Sequence, residues 1–171
     1  MIQITYQPAY DPYHTAFRVL MLLARNEEKS IRLQTLKILD FYLAFPNFIQ
    51  EINGIKTQIK KHNLDTISPP YGHLPSSKII FNQMNVFQEA AVQTLHLRGI
   101  LEFTSETLAH EKVKLTKNKI PENLLPALTR RNDEKSNILT FLSNVLMELP
   151  LEGAKGLKSK TSLMEHRYDY Q

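Results

Sequence analysis

Cysteine is absent from the 171 residues, which excludes a disulfide scaffold, a zinc ribbon, an iron–sulfur site and a thiol nucleophile together. Glycine is scarce. Only five occur, and none falls in the Gly-x-x-x-x-Gly-Lys or Gly-x-Gly-x-x-Gly spacing that cradles phosphate on backbone amides. There is no Gly-x-Ser-x-Gly turn to hold a serine as a strained nucleophile. His14, His62, His73, His96, His110 and His166 include no pair at i, i+4, the spacing that sets two ring nitrogens on one helical face for a metal. No catalytic residue, metal ligand or cofactor is therefore assigned, and a non-enzymatic protein is expected. No stretch reaches the roughly 18 uninterrupted apolar residues of a membrane span. Residues 1–6 also lack the basic-then-apolar order of an export signal, so the expectation is a soluble cytoplasmic protein with no membrane partner.

What is present is an ordinary globular balance, with 42% apolar and 22% charged residues. That is enough to bury a core. At 19.8 kDa the chain suits one compact domain, or a domain with an appended helical hairpin. Lys and Arg number 21 against 17 Asp and Glu, a net charge of +4, which permits contact with nucleic acid without demanding it.

Periodicity organises the rest. Phe17, Leu20, Met21 and Ala24 at i, i+3, i+4, i+7 predict a helix over 13–25, with Asp11 as its cap and Pro12 in its first turn. Ser30 is expected to cap a second helix from Ile31, with Thr35, Ile38, Leu39 and Tyr42 inward and Pro46 as its stop. Short helical turns follow to Ile59. Residues 65–77 carry Pro69, Pro70, Gly72 and Pro75 and read as a long loop, stapled by Tyr71 and Leu74. A long helix over 78–98, capped by Ser76 or Ser77 and stopped by Gly99, turns Ile80, Met84, Phe87, Ala91 and Leu95 inward. Alternation at 100–104 and 113–115 predicts a β-hairpin, and two further helices are expected over 121–130 and 135–149. The fold class expected is mainly α with one β-hairpin. It comprises a winged-helix-like domain over 1–120 and a C-terminal helical hairpin with an interaction tail over 121–171.

Three groups are candidates for contact. Lys112, Lys114, Lys117 and Lys119 lie within eight residues that contain no acid, as a phosphate backbone would accept; the alternative is lysine guarding an edge strand. Asp40, Phe41, Tyr42 and Phe45 belong to a helix that is apolar around its circumference. Either some of these side chains face a partner, or the helix is internal with Asp40 bonded to an amide or an arginine. The third group is the tail, a glycine-bearing stretch in which Lys155, Lys158 and Lys160 are either a second basic cluster or a solvated linker. The solvent face expected for the long helix, Asn82, Gln83, Asn85, Gln88, Glu89 and Gln93, holds an acid and no arginine or lysine, which argues against a free regulator reading the major groove.

The stretches Leu39-Asp40-Phe41-Tyr42-Leu43-x-Phe45-Pro46, Leu97-Arg98-Gly99-Ile100-Leu101 and Gly156-Leu157-Lys158-x-x-Thr161-x-Leu163-x-x-Arg167-Tyr168-Asp169 resemble the middle component of bacterial ABC-three-component systems, the group that overlaps Lamassu-type defence. The resemblance implies an adaptor encoded beside an SMC-like or Rad50-like ABC ATPase and a separate effector, bridging them in an antiphage or anti-plasmid complex that senses foreign DNA. Its partner-binding residues would be Asp40, Phe41, Tyr42, Phe45, Leu157, Lys158, Arg167, Tyr168 and Asp169. Weak DNA contact would fall to Lys112, Lys114, Lys117 and Lys119. The competing expectation is a stand-alone winged-helix DNA-binding transcriptional regulator.

Overall fold

The structure, a computed structural model, describes residues 7–69, 74–104, 111–116 and 120–165. Helix α1 (Pro12–Arg25) begins where the sequence places it, because the Asp11 carboxylate accepts the otherwise orphaned amides of Tyr13 and His14 at 2.8 and 3.0 Å. Five consecutive residues, Val19 to Leu23, are buried. One amphipathic stripe would not bury all five; α1 packs against α2 (Leu33–Ala44) and α4 (Ser77–Leu97) and also against α5 (Leu125–Glu134) of the C-terminal part.

The second helix starts later than its periodicity suggests. Ile31–Arg32 is a short strand, β1, and α2 runs over Leu33–Ala44 with no side-chain cap, so Ser30 does not cap it. The cause lies far along the chain: Ile31 and Arg32 pair antiparallel with Val113 and Lys112, and the Leu33 amide donates to the Glu111 carbonyl at 2.8 Å. Pairing at that separation overrides local propensity. Every residue of α2 from Thr35 to Leu43 is buried, as a central helix requires.

A 3-10 turn (Pro46–Glu51) and α3 (Lys56–Lys61) lead through the loop to α4 (Ser77–Leu97). Ser76 occupies the cap position of α4 but its hydroxyl makes no cap bond. Leu74 packs on the core as expected, whereas Tyr71 lies outside the described residues. Gly99 ends the helix at φ +67°, a conformation that favours glycine. Strands β2 (Leu101–Phe103) and β3 (Lys112–Leu115) then form the predicted hairpin, and the sheet order is β1–β3–β2.

The predicted helix over 121–130 is a 3-10 turn followed by α5 (Leu125–Glu134). That over 135–149 divides into α6 (Ser136–Phe141) and a π turn (Leu142–Leu146), where the Met147 amide reaches the Leu142 carbonyl five residues back. The last element, α7 (Leu157–Thr161), is no solvated linker. Leu151, Leu157 and Leu163 are buried, and the Lys160 carbonyl accepts the Asn53 amide at 3.0 Å. One continuous apolar cluster runs from Ala9 through α1, α2 and α4 to these C-terminal leucines. The molecule is thus mostly helical with one small antiparallel sheet, and no helix among the described residues is long and apolar enough to cross a membrane.

Candidate interaction surfaces

The aromatic end of α2 is internal. Asp40 and Phe41 are fully buried, Tyr42 is 2% and Phe45 8% exposed. Phe41 lies at the centre of a ring cluster, with centroids 5.1 Å from Tyr42, 5.8 Å from Phe45, 5.6 Å from Phe48 and 5.9 Å from Phe81. Rings at these separations gain edge and offset contacts beyond their area burial. The chain's own layers therefore cover this helix, and Asp40, Phe41 and Tyr42 serve the core rather than a partner surface. Burial pushes the Tyr42 phenol far above its ordinary range, with the Glu51 carboxylate adding to the shift.

Asp40 bonds to both an arginine and an amide. Arg18 donates from Nε to Oδ1 at 2.7 Å and from Nη2 to Oδ2 at 3.3 Å; Gln88 Nε2 donates to Oδ2 at 2.8 Å and to the Lys37 carbonyl at 3.0 Å. Gln88 is 1% exposed, so it does not belong to the solvent face of α4 on which its polarity suggested it. The same helices are tied again at their rim, where Lys37 Nζ donates to Asn85 Oδ1 at 2.8 Å and to Glu89 Oε1 at 2.9 Å. The bond from Lys37 and its charge hold the Glu89 carboxyl below its usual range.

Only Phe45 of the aromatic set reaches a surface feature. It contributes with Phe17, Met21 and Leu43 to the floor of a cleft of about 660 Å³ between α1, the end of α2 and α5. Its rim carries His14, Arg18, Arg130, Arg131 and Lys135, and no acid is among the described residues lining it. Glu134 lies just outside, 2.9 Å from Arg131 and 4.0 Å from Arg130. An apolar floor under a cationic rim is suited to an acidic segment that carries an apolar anchor. Sequence reasoning missed this cleft because its lining is drawn from parts of the chain far apart in sequence, residues 7–21, 43–45, 74 and 127–135. The available signal was Arg130-Arg131 with Lys135 on a helix turn next to an apolar run.

Of the hairpin lysines, Lys112 and Lys114 belong to β3. β3 is the central strand, and at Lys112 it is paired by Arg32 of β1, so Lys112 guards no open edge. Lys114 pairs across the strands with Glu102 at 3.1 Å, while Lys112 is exposed. Lys117 and Lys119 lie outside the described residues. In the tail Leu157 is fully buried, and the Lys158 side chain is only 13% exposed, 3.8 Å from Glu152, which also accepts from Arg32 at 2.8 Å. Both therefore hold α7 against the body. Arg167, Tyr168 and Asp169 lie outside the described residues. Among those described, no group of three His, Asp or Glu side chains could hold a metal ion.

A family model described as ABC-three component (ABC-3C) system Middle Component 5 matches residues 4–169 of the chain. No curated protein and no solved structure matches it.

Proposed function

Since the chain belongs to the family of ABC-three-component system Middle Component 5, and is thereby a subunit of a multi-component system, we propose that it is a non-catalytic adaptor joining an SMC-like or Rad50-like ABC ATPase to a separate effector. The assembly would be a Lamassu-type complex that senses foreign DNA and acts against phage or plasmids. The observation that carries this reading is the family match over residues 4–169, which spans the cleft, the hairpin and the packed tail alike. The cleft adds support of a different kind: its cationic rim and apolar floor offer an acidic partner segment both steering and burial. Helix–strand–helix, long helix and hairpin, with sheet order β1–β3–β2, is compatible with a winged-helix-like core that has α4 in the recognition position. In the complex, Lys112, Lys114, Lys117 and Lys119 would add weak DNA contact that tolerates any sequence.

The test is reconstitution with the ATPase and effector encoded beside this chain. Co-expression is expected to give one complex by size exclusion, and Arg131→Glu with Lys135→Glu is expected to release a component while leaving the thermal transition of the isolated chain in place. A purified chain that turns over ATP or cuts DNA alone, with the turnover abolished by a single substitution in it, overturns the non-catalytic reading. The alternative, a stand-alone winged-helix DNA-binding transcriptional regulator, rests on the element order alone. Titration of labelled duplexes of different sequence at two salt concentrations separates the two: tight binding confined to one sequence favours the regulator.

A further inference from the structure

Helix α4 has a second face that the core does not use. Ile79 is 51%, Val86 63% and Leu97 83% exposed, three of the five most exposed large apolar side chains among the described residues. With exposed Gln83, Ala90 and Gln93 they form one stripe whose spacing of four, three, four, three, four residues is that of a helix–helix seam. The stripe holds no charge. Scattered apolar residues on a surface are unremarkable, but a seam running the length of a 21-residue helix, about 30 Å at 1.5 Å per residue, is not scattered.

The order of residues along the stripe identifies what fits it. Turning the helix end for end about residue 88 exchanges Ile79 with Leu97, Gln83 with Gln93, and Val86 with Ala90. Large apolar thus meets large apolar, amide meets amide, and a branched side chain meets a small one. An isologous interface requires this self-complementarity, since residue i must suit residue j and j must suit i. A parallel pair would instead set Val86 on Val86 and Ala90 on Ala90, crowding one layer and leaving the next empty, and would align the helix dipoles. Gln83 is already oriented for the antiparallel arrangement: its Oε1 accepts the Tyr10 hydroxyl at 2.8 Å, which leaves its amide nitrogen as the donor toward a facing Gln93 carbonyl. Glu89 flanks the midpoint and is neutralised by Lys37 at 2.9 Å, so two copies do not meet there as bare carboxylates.

We propose that the outer face of α4 is a homodimer interface, on which a second copy of this chain lays its α4 antiparallel about a two-fold axis level with residue 88. The proposal goes beyond the adaptor reading and does not depend on it. A single helix pair lies at the small end of specific interfaces, so association in the micromolar range is expected.

Sedimentation equilibrium of the full chain is expected to show a mass rising with concentration from 19.8 kDa toward twice that value. Val86→Glu and, separately, Leu97→Glu are expected to stay monomeric with an unchanged thermal transition, which two exposed positions allow. The absence of cysteine makes the register testable. Ile79→Cys mixed with Leu97→Cys is expected to form a disulfide-linked dimer under mild oxidation, and neither variant alone should do so, because like positions would lie about 27 Å apart along the pair. A wild-type chain that is monomeric up to about 100 µM, well above the expected range, overturns the proposal. So does a dimer that Val86→Glu leaves intact, or cross-linking of Ile79→Cys alone. A monomeric wild type whose complex with the ATPase is lost on Val86→Glu also overturns it and gives the face to that subunit.

Discussion

Asp40 stands where α1, α2 and α4 meet, and its partners come from the other two helices: Arg18 and Gln88. Removing a carboxylate from such a place leaves a nearly buried guanidinium, 11% exposed, without its counter-charge. Asp40→Ala is therefore expected to cost about 3 kcal/mol by chemical denaturation, well above a typical surface change. Arg18→Met in the same background is expected to recover part of that loss, because an apolar pair suits the site better than a lone charge. Tyr42 sets a pH limit of another kind. Its folded-state pKa is raised by burial above the ordinary 10.0, so its contribution is full below pH 10 and is lost as pH rises from there, when the unfolded chain releases a proton that the folded chain keeps. Tyr42→Phe is expected to flatten the alkaline limb of Tm against pH between about 9 and 11. An internal α2 with Asp40 held by an arginine or an amide was one of two alternatives the sequence offered, and the structure decides for it. The identity of the amide was hidden by residue type, since Gln88 shares the 3.6-residue period of Met84, Ala91 and Leu95 but is polar. Position on the helix is set by that period, and a buried Gln follows it when a partner such as Asp40 is supplied.

Elements longer than about ten residues were legible because their apolar period repeats several times; α1 and α4 stand close to where that pattern puts them, and the hairpin, with strands of three and four residues, was legible from its alternation. The two-residue β1 was not, because Ile31 and Arg32 have no period of their own and are extended only where β3 arrives from some eighty residues downstream. The π turn was equally silent, since its wider winding is imposed by packing of Leu142 and Leu146 into the core. The tail illustrates a third case, in which a stretch open to reading as a solvated linker is packed, and its glycine serves close approach. Gly156 has ordinary φ of -77°, yet a Cβ there would overlap the Glu152 carbonyl, backbone that cannot move aside alone. Gly156→Ala is expected to destabilise the chain by about 2 kcal/mol or more and to expose amides of α7 to hydrogen exchange first, whereas Gly153→Ala meets no side-chain or backbone atom and is strained only through its φ of +89°.

The two proposed contacts use surfaces of opposite character, and ionic strength separates them. Neither surface was legible as such: the cleft is assembled from four distant segments, and the α4 stripe was screened by its glutamines, which read as plain solvent face. Charge carries the cleft. Its rim gathers Arg130, Arg131 and Lys135 around an apolar floor, Arg18 being held by Asp40, so an acidic partner segment would gain much of its approach rate and part of its affinity from Coulomb attraction. Screening shortens from about 10 Å at 0.1 M salt to about 3 Å at 1 M. The α4 seam contains apolar and amide groups alone, and burying apolar surface is not weakened by ordinary salt and is strengthened by sulfate. With the chain at fixed concentration, raising sodium chloride from 0.1 to 0.5 M is expected to loosen the complex with its partner components several-fold, mainly through slower association. Self-association should change by less than about twofold over the same range. Sedimentation velocity of the chain alone and of the reconstituted complex across that series reads both at once. Equal salt sensitivity in the two would mean that one surface serves both contacts, and the separate assignment of cleft and seam would fail.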